Sequence, residues 1–303
     1  MMQNCKNNNA EVAAKSFPDK NDAFFCYAVA AAIYLIASLL LGAVQGVVTY
    51  GGVVWWVCLA VSNLAIGLSA VVYCKVRGKK VIGFVAADVA PDPVHTAVGC
   101  VFIVGLVCFM SPVTNWIYDL MQRLGLERPS VALPEQLVPL LLTATLLPAL
   151  NEEIVFRGIV GNGLVRGCKS KVNAVLLSGA LFSLFHANPA QTMHQFFVGC
   201  FLTLLLLRGG SLWSCVIVHF VNNLVVVVAD FTLPDAFFTS WITCLVGGIV
   251  AVVAFVVYLF ATKPSKKSAM FVNEKEETVT STSAVVACIV TVVVFAALWV
   301  MNL

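Results

Sequence analysis

Three hydrophobic stretches of this sequence carry polar side chains that an apolar environment would exclude unless they had a role. The first, LLPALNEEIVFRG, contains the acids Glu152 and Glu153; the second, FSLFHAN, contains His186; the third, VIVHFVNN, contains His219. A carboxylate beside an imidazole can activate a water molecule, and an imidazole with an amide can donate hydrogen bonds to an oxyanion. Together these residue types could form a site that activates a water molecule and stabilises an oxyanion.

Helical spacing separates the two acids of the first stretch. Glu153 and Arg157 are four residues apart, a spacing that lets a carboxylate and a guanidinium meet on one face of a helix. Glu152 lies about 100° away around the helix axis and points elsewhere. We therefore interpret Glu153 and Arg157 as a structural pair and Glu152 as the candidate catalytic carboxylate. Asn151, directly before the acids, can hydrogen-bond Glu152 and change its basicity.

The same four-residue spacing recurs in the other two stretches. Phe182 precedes His186 by one turn, which places an apolar ring below an imidazole. His219 and Asn223 are also one turn apart, so an imidazole and an amide can face one cavity about 6 Å apart along the helix axis. His194, at the outer turn of its own stretch, is expected to be exposed to solvent and to have no role.

Simpler structural roles remain open for several of these residues. Arg157 lies near the predicted cytoplasmic end of its stretch, where a cation is typical of a topology signal. A single histidine such as His186 is usually a hydrogen-bonded core residue, although a second histidine on another stretch favours a site. Asn222 and Asn223 are equally typical of hydrogen bonds between membrane helices. Spacing favours Asn223 as the amide that faces His219.

The composition indicates what kind of element positions these groups. The chain has 303 residues, of which 60% are apolar and 11% charged, whereas a soluble domain has about 45–50% apolar and about 25% charged residues. A soluble globular protein and a disordered chain are therefore excluded. The net charge of +3 is too small and too scattered for a nucleic-acid surface. The 11 cysteines lie mostly in apolar runs without C-x-x-C spacing, which gives no redox or zinc signal.

The apolar runs predict an all-α fold, a polytopic transmembrane helical bundle of about nine spans. A helix needs about 20 apolar residues to cross the hydrocarbon of a bilayer. The predicted spans are 23–48, 53–74, 94–117, 136–157, 172–188, 193–207, 211–229, 236–261 and 284–302.

The basic residues orient these spans. Lysine and arginine are enriched in cytoplasmic loops. With a cytoplasmic N-terminus, nearly all of the 18 Lys and Arg residues fall in inside segments, and only Arg123 and Arg128 fall outside. We therefore predict an integral membrane protein with its N-terminus in the cytoplasm. Because the sequence has no targeting or retention signal, a prokaryotic plasma membrane is the simplest location.

Five segments are predicted along the chain. A polar cytoplasmic tail, 1–22, precedes N-terminal transmembrane helices over 23–134. The polar groups lie in a transmembrane core, 135–262. A polar linker, 263–283, then leads to one appended transmembrane helix, 284–303.

Three motifs in this order resemble the CAAX-protease and bacteriocin-processing (CPBP) family of intramembrane glutamic proteases, which includes the type II CAAX prenyl endopeptidases. The motifs EExxxR, FxxxH and HxxxN are formed by Glu152, Glu153, Arg157, Phe182, His186, His219 and Asn223. The resemblance covers about a third of the chain, roughly residues 135–230. Three motifs on consecutive hydrophobic stretches are a more specific signal than any one of them.

The resemblance implies a role for each group. Glu152 would be the general base that activates a water, with His186 holding or sharing that water. His219 and Asn223 would stabilise the tetrahedral oxyanion. The remaining motif residues would support the site, since the acid–guanidinium pair fixes its helix and Phe182 underlies the histidine.

The resemblance also implies the reaction. We expect an endopeptidase that hydrolyses a peptide bond in a membrane-embedded, membrane-tethered or prenylated CAAX-like peptide, within the lipid bilayer and without a cofactor or metal. A zinc metalloprotease is the weaker alternative, because the HExxH spacing that puts two ligands on one helix is absent. A non-catalytic scaffold or immunity protein, or a proton-coupled transporter that uses the acids as a relay, is the alternative outside the enzymes.

Overall fold

The computed structural model describes residues 17–125, 136–264 and 279–301, and within these ranges the regular structure is helical, without strands. The helices are α1 (Lys20–Gln45), α2 (Val53–Val76), α3 (Val81–Phe84), α4 (Pro93–Arg123), α5 (Leu137–Gly167), α6 (Lys171–Phe185), α7 (Thr192–Gly209), α8 (Leu212–Thr232), α9 (Asp235–Thr239), α10 (Trp241–Ala261) and α11 (Thr282–Met301).

Among these described helices, eight are long and apolar enough to cross a membrane. They are α1, α2, α4, α5, α7 together with the 3₁₀ turn that precedes it (Pro189–Gln191), α8, α10 and α11. The protein is therefore an integral membrane protein with an all-α helical bundle, and the predicted fold class is confirmed.

The ninth apolar helix, α6, is shorter than a full span. Its 15 residues extend over about 22 Å, compared with about 30 Å of hydrocarbon. The chain turns back after it through Ala187, which has a positive φ of 46°. Asn188 then accepts hydrogen bonds from the backbone N–H groups of Ala190 and Gln191 and starts the 3₁₀ turn. Helices α6 and α7 thus form a tight hairpin.

Small residues let this hairpin close. A Cβ atom added at Gly199 of α7 would lie 2.9 Å from the Cα atom of Gly179 in α6. Helices α4 and α10 meet in the same way, because a Cβ atom at Gly105 would lie 2.6 Å from the backbone nitrogen of Ala251. Such close approaches are the usual basis of helix packing in membranes, where lipid removes most of the hydrophobic driving force.

Two predicted boundaries differ from the structure. The fourth span was predicted to end at residue 157 but continues to Gly167, because the polar NEEIVFR segment is buried within the helix and does not mark its end. The tail predicted over 1–22 is wrong at its last residues, since α1 begins at Lys20 and the side chain of Asp22 is buried. Asp22 accepts a hydrogen bond from the hydroxyl of Tyr73 at 2.8 Å. Residues 1–16 lie outside the described ranges.

The last helix packs directly against the hairpin. The ring of Phe295 in α11 stacks on that of Phe185 at 5.2 Å between centroids. The indole of Trp299 donates a hydrogen bond to the hydroxyl of Thr192 at 2.7 Å. Most of the predicted linker, 263–283, lies outside the described ranges, and the division of the chain into five segments stays a prediction.

Candidate active site

The two acids lie on a short α-helical segment between two π-helical turns of α5. The segment Leu147–Val155 follows the π turn Leu142–Leu146 and precedes the π turn Phe156–Gly161. Pro148 has no backbone N–H group to continue the regular α-helical hydrogen bonds, and this is a local cause for the π turn that precedes it. π turns inside α-helices occur frequently at functional sites.

Glu153 and Arg157 form a fully buried ion pair. An Nη1–H group of Arg157 donates to Oε1 of Glu153 at 2.7 Å, and neither side chain is exposed. Nη2 of Arg157 donates to the carbonyl oxygen of Gly199 at 3.2 Å. The guanidinium also lies 4.3 Å from the ring centroid of Phe182, in cation–π contact. The pair therefore ties α5 to both arms of the α6–α7 hairpin. The burial of Arg157 inside the bundle disagrees with the alternative interpretation, a topology signal at the end of the helix.

Glu153 has a second partner on α8. Nδ1 of His219 lies 2.7 Å from the same Oε1 atom, and the imidazole is buried. Because a carboxylate accepts, Nδ1 of His219 carries the proton. A neutral ring in that state has only a lone pair on Nε2, and only the imidazolium form has a second N–H group there.

Glu152 points to a different helix from Glu153. Its side chain is 10% exposed, and Oε2 lies 3.9 Å from Nε2 of His186. Within the described part of the chain, this buried Oε2 atom has no hydrogen-bond partner. Nδ1 of His186 lies 2.9 Å from the carbonyl oxygen of Phe182 and must donate to it. Nε2 of the neutral ring is therefore an acceptor, and it cannot hydrogen-bond the carboxylate directly.

Phe182 lies between the two imidazoles. Its ring is edge-to-face with His186 at 4.8 Å and with His219 at 5.7 Å between centroids. The predicted supporting residue thus contacts both histidines and, through its face, Arg157. Since the ring is fully buried, it fixes the separation of the two imidazoles by packing.

The prediction for His194 is wrong. It was expected to be exposed at the end of its span, but it is buried in the first turn of α7, and its Nε2 atom lies 3.0 Å from Oδ1 of Asn222. Nδ2 of Asn222 donates in turn to Oδ1 of Asn223 at 2.9 Å. The error arose because the depth of His194 was counted from the predicted end of its span, and the α6–α7 turn is not visible in the hydrophobic pattern.

Asn151 also differs from the prediction. Its Nδ2 atom donates to the carbonyl oxygen of Leu147 at 2.8 Å, so this hydrogen bond of the amide stays within α5. Its Oδ1 atom lies against α2, where a Cβ atom added at Gly67 would come within 2.0 Å of it. Asn151 therefore packs α5 on α2, and the expected hydrogen bond to Glu152 is not found among the described contacts.

Tyr34 of α1 was not singled out from the sequence. It interacts electrostatically with Glu152, and its ring lies 5.0 Å from that of Phe185. No short motif links Tyr34 to the acids, and only the packing of α1 against the hairpin brings it close to them.

Sequences of known proteins support the family resemblance over part of the chain. Residues 134–225 match the family model described as type II CAAX prenyl endopeptidase Rce1-like. This segment, about a third of the chain, contains all seven motif residues, and the resemblance to the CPBP family is confirmed for it. This segment is similar in sequence to CAAX-type protease domains, and it lies within an integral membrane protein. No curated protein and no solved structure matches the chain.

Proposed function

We propose that the protein is an intramembrane endopeptidase in which Glu152 and His186 activate a water molecule. The observation that carries the proposal is the unpartnered, buried Oε2 atom of Glu152, 3.9 Å from the acceptor nitrogen of His186. A water molecule at a normal hydrogen-bond distance of about 2.8 Å from both atoms fits this separation. Its two hydrogens match the two acceptors.

The proposed reaction starts from that water. Its oxygen attacks the carbonyl carbon of the scissile peptide bond, one proton passes to Glu152, and the carbonyl oxygen becomes an oxyanion. The C–N bond then breaks as the stored proton is returned to the leaving amine. The products are a free amine and a carboxylic acid, which ionises by losing the second proton of the water to solvent, and the carboxylate of Glu152 is regenerated.

The oxyanion needs donors, and His219 and Asn223 are proposed to supply them. With Nδ1 bonded to Glu153, His219 can donate through Nε2 only in its protonated form. Asn223 contributes the –NH₂ end of its amide. Loss of one such donor typically costs about 10²–10³ in rate.

The substrate class follows from the family match and from the location of the site. The matched segment is similar to type II CAAX prenyl endopeptidases, and the acids lie within an apolar helix. We therefore propose a membrane-tethered peptide with a lipidated, CAAX-like end that reaches the site from the cytoplasmic side.

The proposed mechanism uses no metal. In the described ranges, no three His, Cys, Asp or Glu side chains are grouped so that they could hold an ion, but absence of a cofactor stays a prediction. Activity that resists a strong chelator would support it. Loss of activity on chelation and recovery with zinc would favour the metalloprotease alternative.

Glu152→Gln tests the function directly. Membranes from cells that express the wild type, Glu152→Gln or Asp119→Asn, an exposed acid near the end of α4, are compared by mass spectrometry of peptide termini. We expect new termini with the wild type and with Asp119→Asn, and none with Glu152→Gln at equal membrane insertion. Termini that persist with Glu152→Gln would overturn the proposal and favour a scaffold. Flux that depends on a pH gradient in vesicles would favour a transporter.

A further inference from the structure

We infer that His194 and Asn222 are positioning residues that hold the amide of Asn223 with its –NH₂ end free for the oxyanion. The inference rests on the proposed function and deepens it, because it assigns two residues outside the three motifs to the geometry of the oxyanion donors. Neither residue needs to touch the substrate.

We call the chain of hydrogen bonds from His194 through Asn222 to Asn223 the relay. It joins two helices, α7 and α8. His194 lies in the first turn of α7, and Asn222 and Asn223 lie in the middle of α8. Nε2 of His194 is 3.0 Å from Oδ1 of Asn222, and Nδ2 of Asn222 is 2.9 Å from Oδ1 of Asn223. His194 and Asn222 are both buried, while Asn223 is half-buried at the open end of the chain of hydrogen bonds.

Each hydrogen bond in the relay fixes the direction of the next. Because Oδ1 of Asn222 can only accept, Nε2 of His194 carries a proton and donates a hydrogen bond to it. The –NH₂ group of Asn222 is thereby turned to Asn223, and it can donate only to the amide oxygen there. The remaining –NH₂ group of Asn223 is the end left for a ligand.

Turning the amides over would change this pattern. If the Asn223 amide turned over alone, its –NH₂ group would face the –NH₂ group of Asn222 and leave two donors unpaired. If both amides turned over, the –NH₂ group of Asn222 would need a lone pair on Nε2 of His194, which only the Nδ1–H tautomer offers. The direction of both amides is therefore coupled to the tautomer of His194, and the arrangement in the structure corresponds to the Nε2–H tautomer.

This direction matters because an amide has two chemically opposite ends. An oxyanion is stabilised by the –NH₂ end and repelled by the carbonyl oxygen. A donor that is already oriented needs no rearrangement as charge develops in the transition state. The effect of the relay should therefore be seen in kcat more than in KM.

A double-mutant cycle separates this role from simple packing between α7 and α8. The purified protein is assayed with a farnesylated, fluorogenic peptide that ends in a CAAX sequence. We expect His194→Phe to lower kcat at least tenfold with KM changed less than about twofold. In an Asn223→Ala background, the same substitution should change kcat less than about twofold, because it acts through Asn223. An equal loss of kcat in both backgrounds would overturn the inference.

Two further variants control for folding. His194→Gln keeps an N–H donor and should recover much of the kcat lost in His194→Phe. Gln195→Leu replaces the buried neighbour in the same turn, whose Oε1 atom has no partner among the described residues, and it should leave kcat unchanged. Failure of His194→Gln to recover kcat, with normal thermal stability, would count against the relay.

The tautomer of His194 gives a readout that does not depend on activity. The chain has four histidines, so ¹⁵N-histidine spectra can be assigned by single substitutions. We expect His194 as the Nε2–H tautomer in the wild type, and the Nδ1–H tautomer would refute the relay. Glu152→Gln is assayed in parallel, and normal cleavage by this variant would overturn the proposed function. If Glu152→Gln is inactive but the effects of His194→Phe and Asn223→Ala on kcat are additive, the proposed function stands and only the relay is refuted.

Discussion

At the scale of single residues, two adjacent acids have opposite surroundings. Oε1 of Glu153 accepts from both Arg157 and His219, whereas Glu152 faces only the acceptor nitrogen of His186, 3.9 Å from its Oε2 atom. In the described ranges the Oε2 atoms of both acids are buried without a hydrogen-bond partner, but only that of Glu152 lies at a distance from a second acceptor that one water molecule can bridge. In the proposed function, catalysis depends on Glu152 and stability on Glu153, two neighbours in sequence that point to different helices.

This division predicts different effects of the same substitution. Glu153→Gln leaves the buried guanidinium of Arg157 without a counter-charge, and loss of one partner of a buried pair costs about 3–5 kcal/mol. Glu152→Gln removes no such pair, and we expect its Tm in detergent to stay close to that of the wild type. Thermal unfolding of both variants measures the difference. Equal Tm values would show that Glu153 and Arg157 do not stabilise the bundle.

At the scale of helices, the hydrophobic pattern predicts which elements exist better than where they end. The nine predicted apolar runs correspond to nine apolar helices in the described ranges, eight of them long enough to span and the shorter α6, because burial in lipid demands continuous apolar sequence. The end of α5 was misplaced because Arg157 looks like a loop residue until its partner Glu153 and the carbonyl oxygen of Gly199 are considered.

The spacing of side chains along the sequence predicted some contacts of the candidate site. The four-residue rule correctly paired Glu153 with Arg157, because both lie on one helix. It could not find the bond from Glu153 to His219 or the contact of His194 with Asn222, since these join residues 66 and 28 positions apart. Contacts between helices depend on how the helices cross, and no local pattern records that.

The crossing of α6 and α7 gives a prediction at this scale. An added methyl group at Gly199 would lie 2.9 Å from the Cα atom of Gly179 and 3.1 Å from the Phe182 ring, so Gly199→Ala should destabilise the protein by about 1–3 kcal/mol. Activity should fall as well, because the carbonyl acceptor of Arg157 moves. Gly42→Ala in α1 is the control, since a Cβ atom there meets nothing within 4 Å. Equal Tm values for these two variants would contradict the close crossing.

At the scale of the whole molecule, the orientation of the bundle is still a prediction from the distribution of basic residues. We expect reporter domains fused after Lys80 to be cytoplasmic and those fused after Gly125 to be external. Alkaline phosphatase and a fluorescent protein, compared at each position, give opposite readouts. The reverse pattern would invert the bundle and place the entry of a cytoplasmic peptide on the wrong side.

The short helix α6 has a consequence for the surrounding lipid. It presents an outer face to the acyl chains, with Val172 67% and Leu176 47% exposed, yet it covers only about 22 Å of their length. Acyl chains beside it must shorten by tilting or compressing, at a cost of a fraction of a kcal/mol per Å of mismatch. We therefore expect the bilayer to be thinnest next to α6, which ends one residue before His186, and turnover to respond to the acyl-chain length of the host membrane.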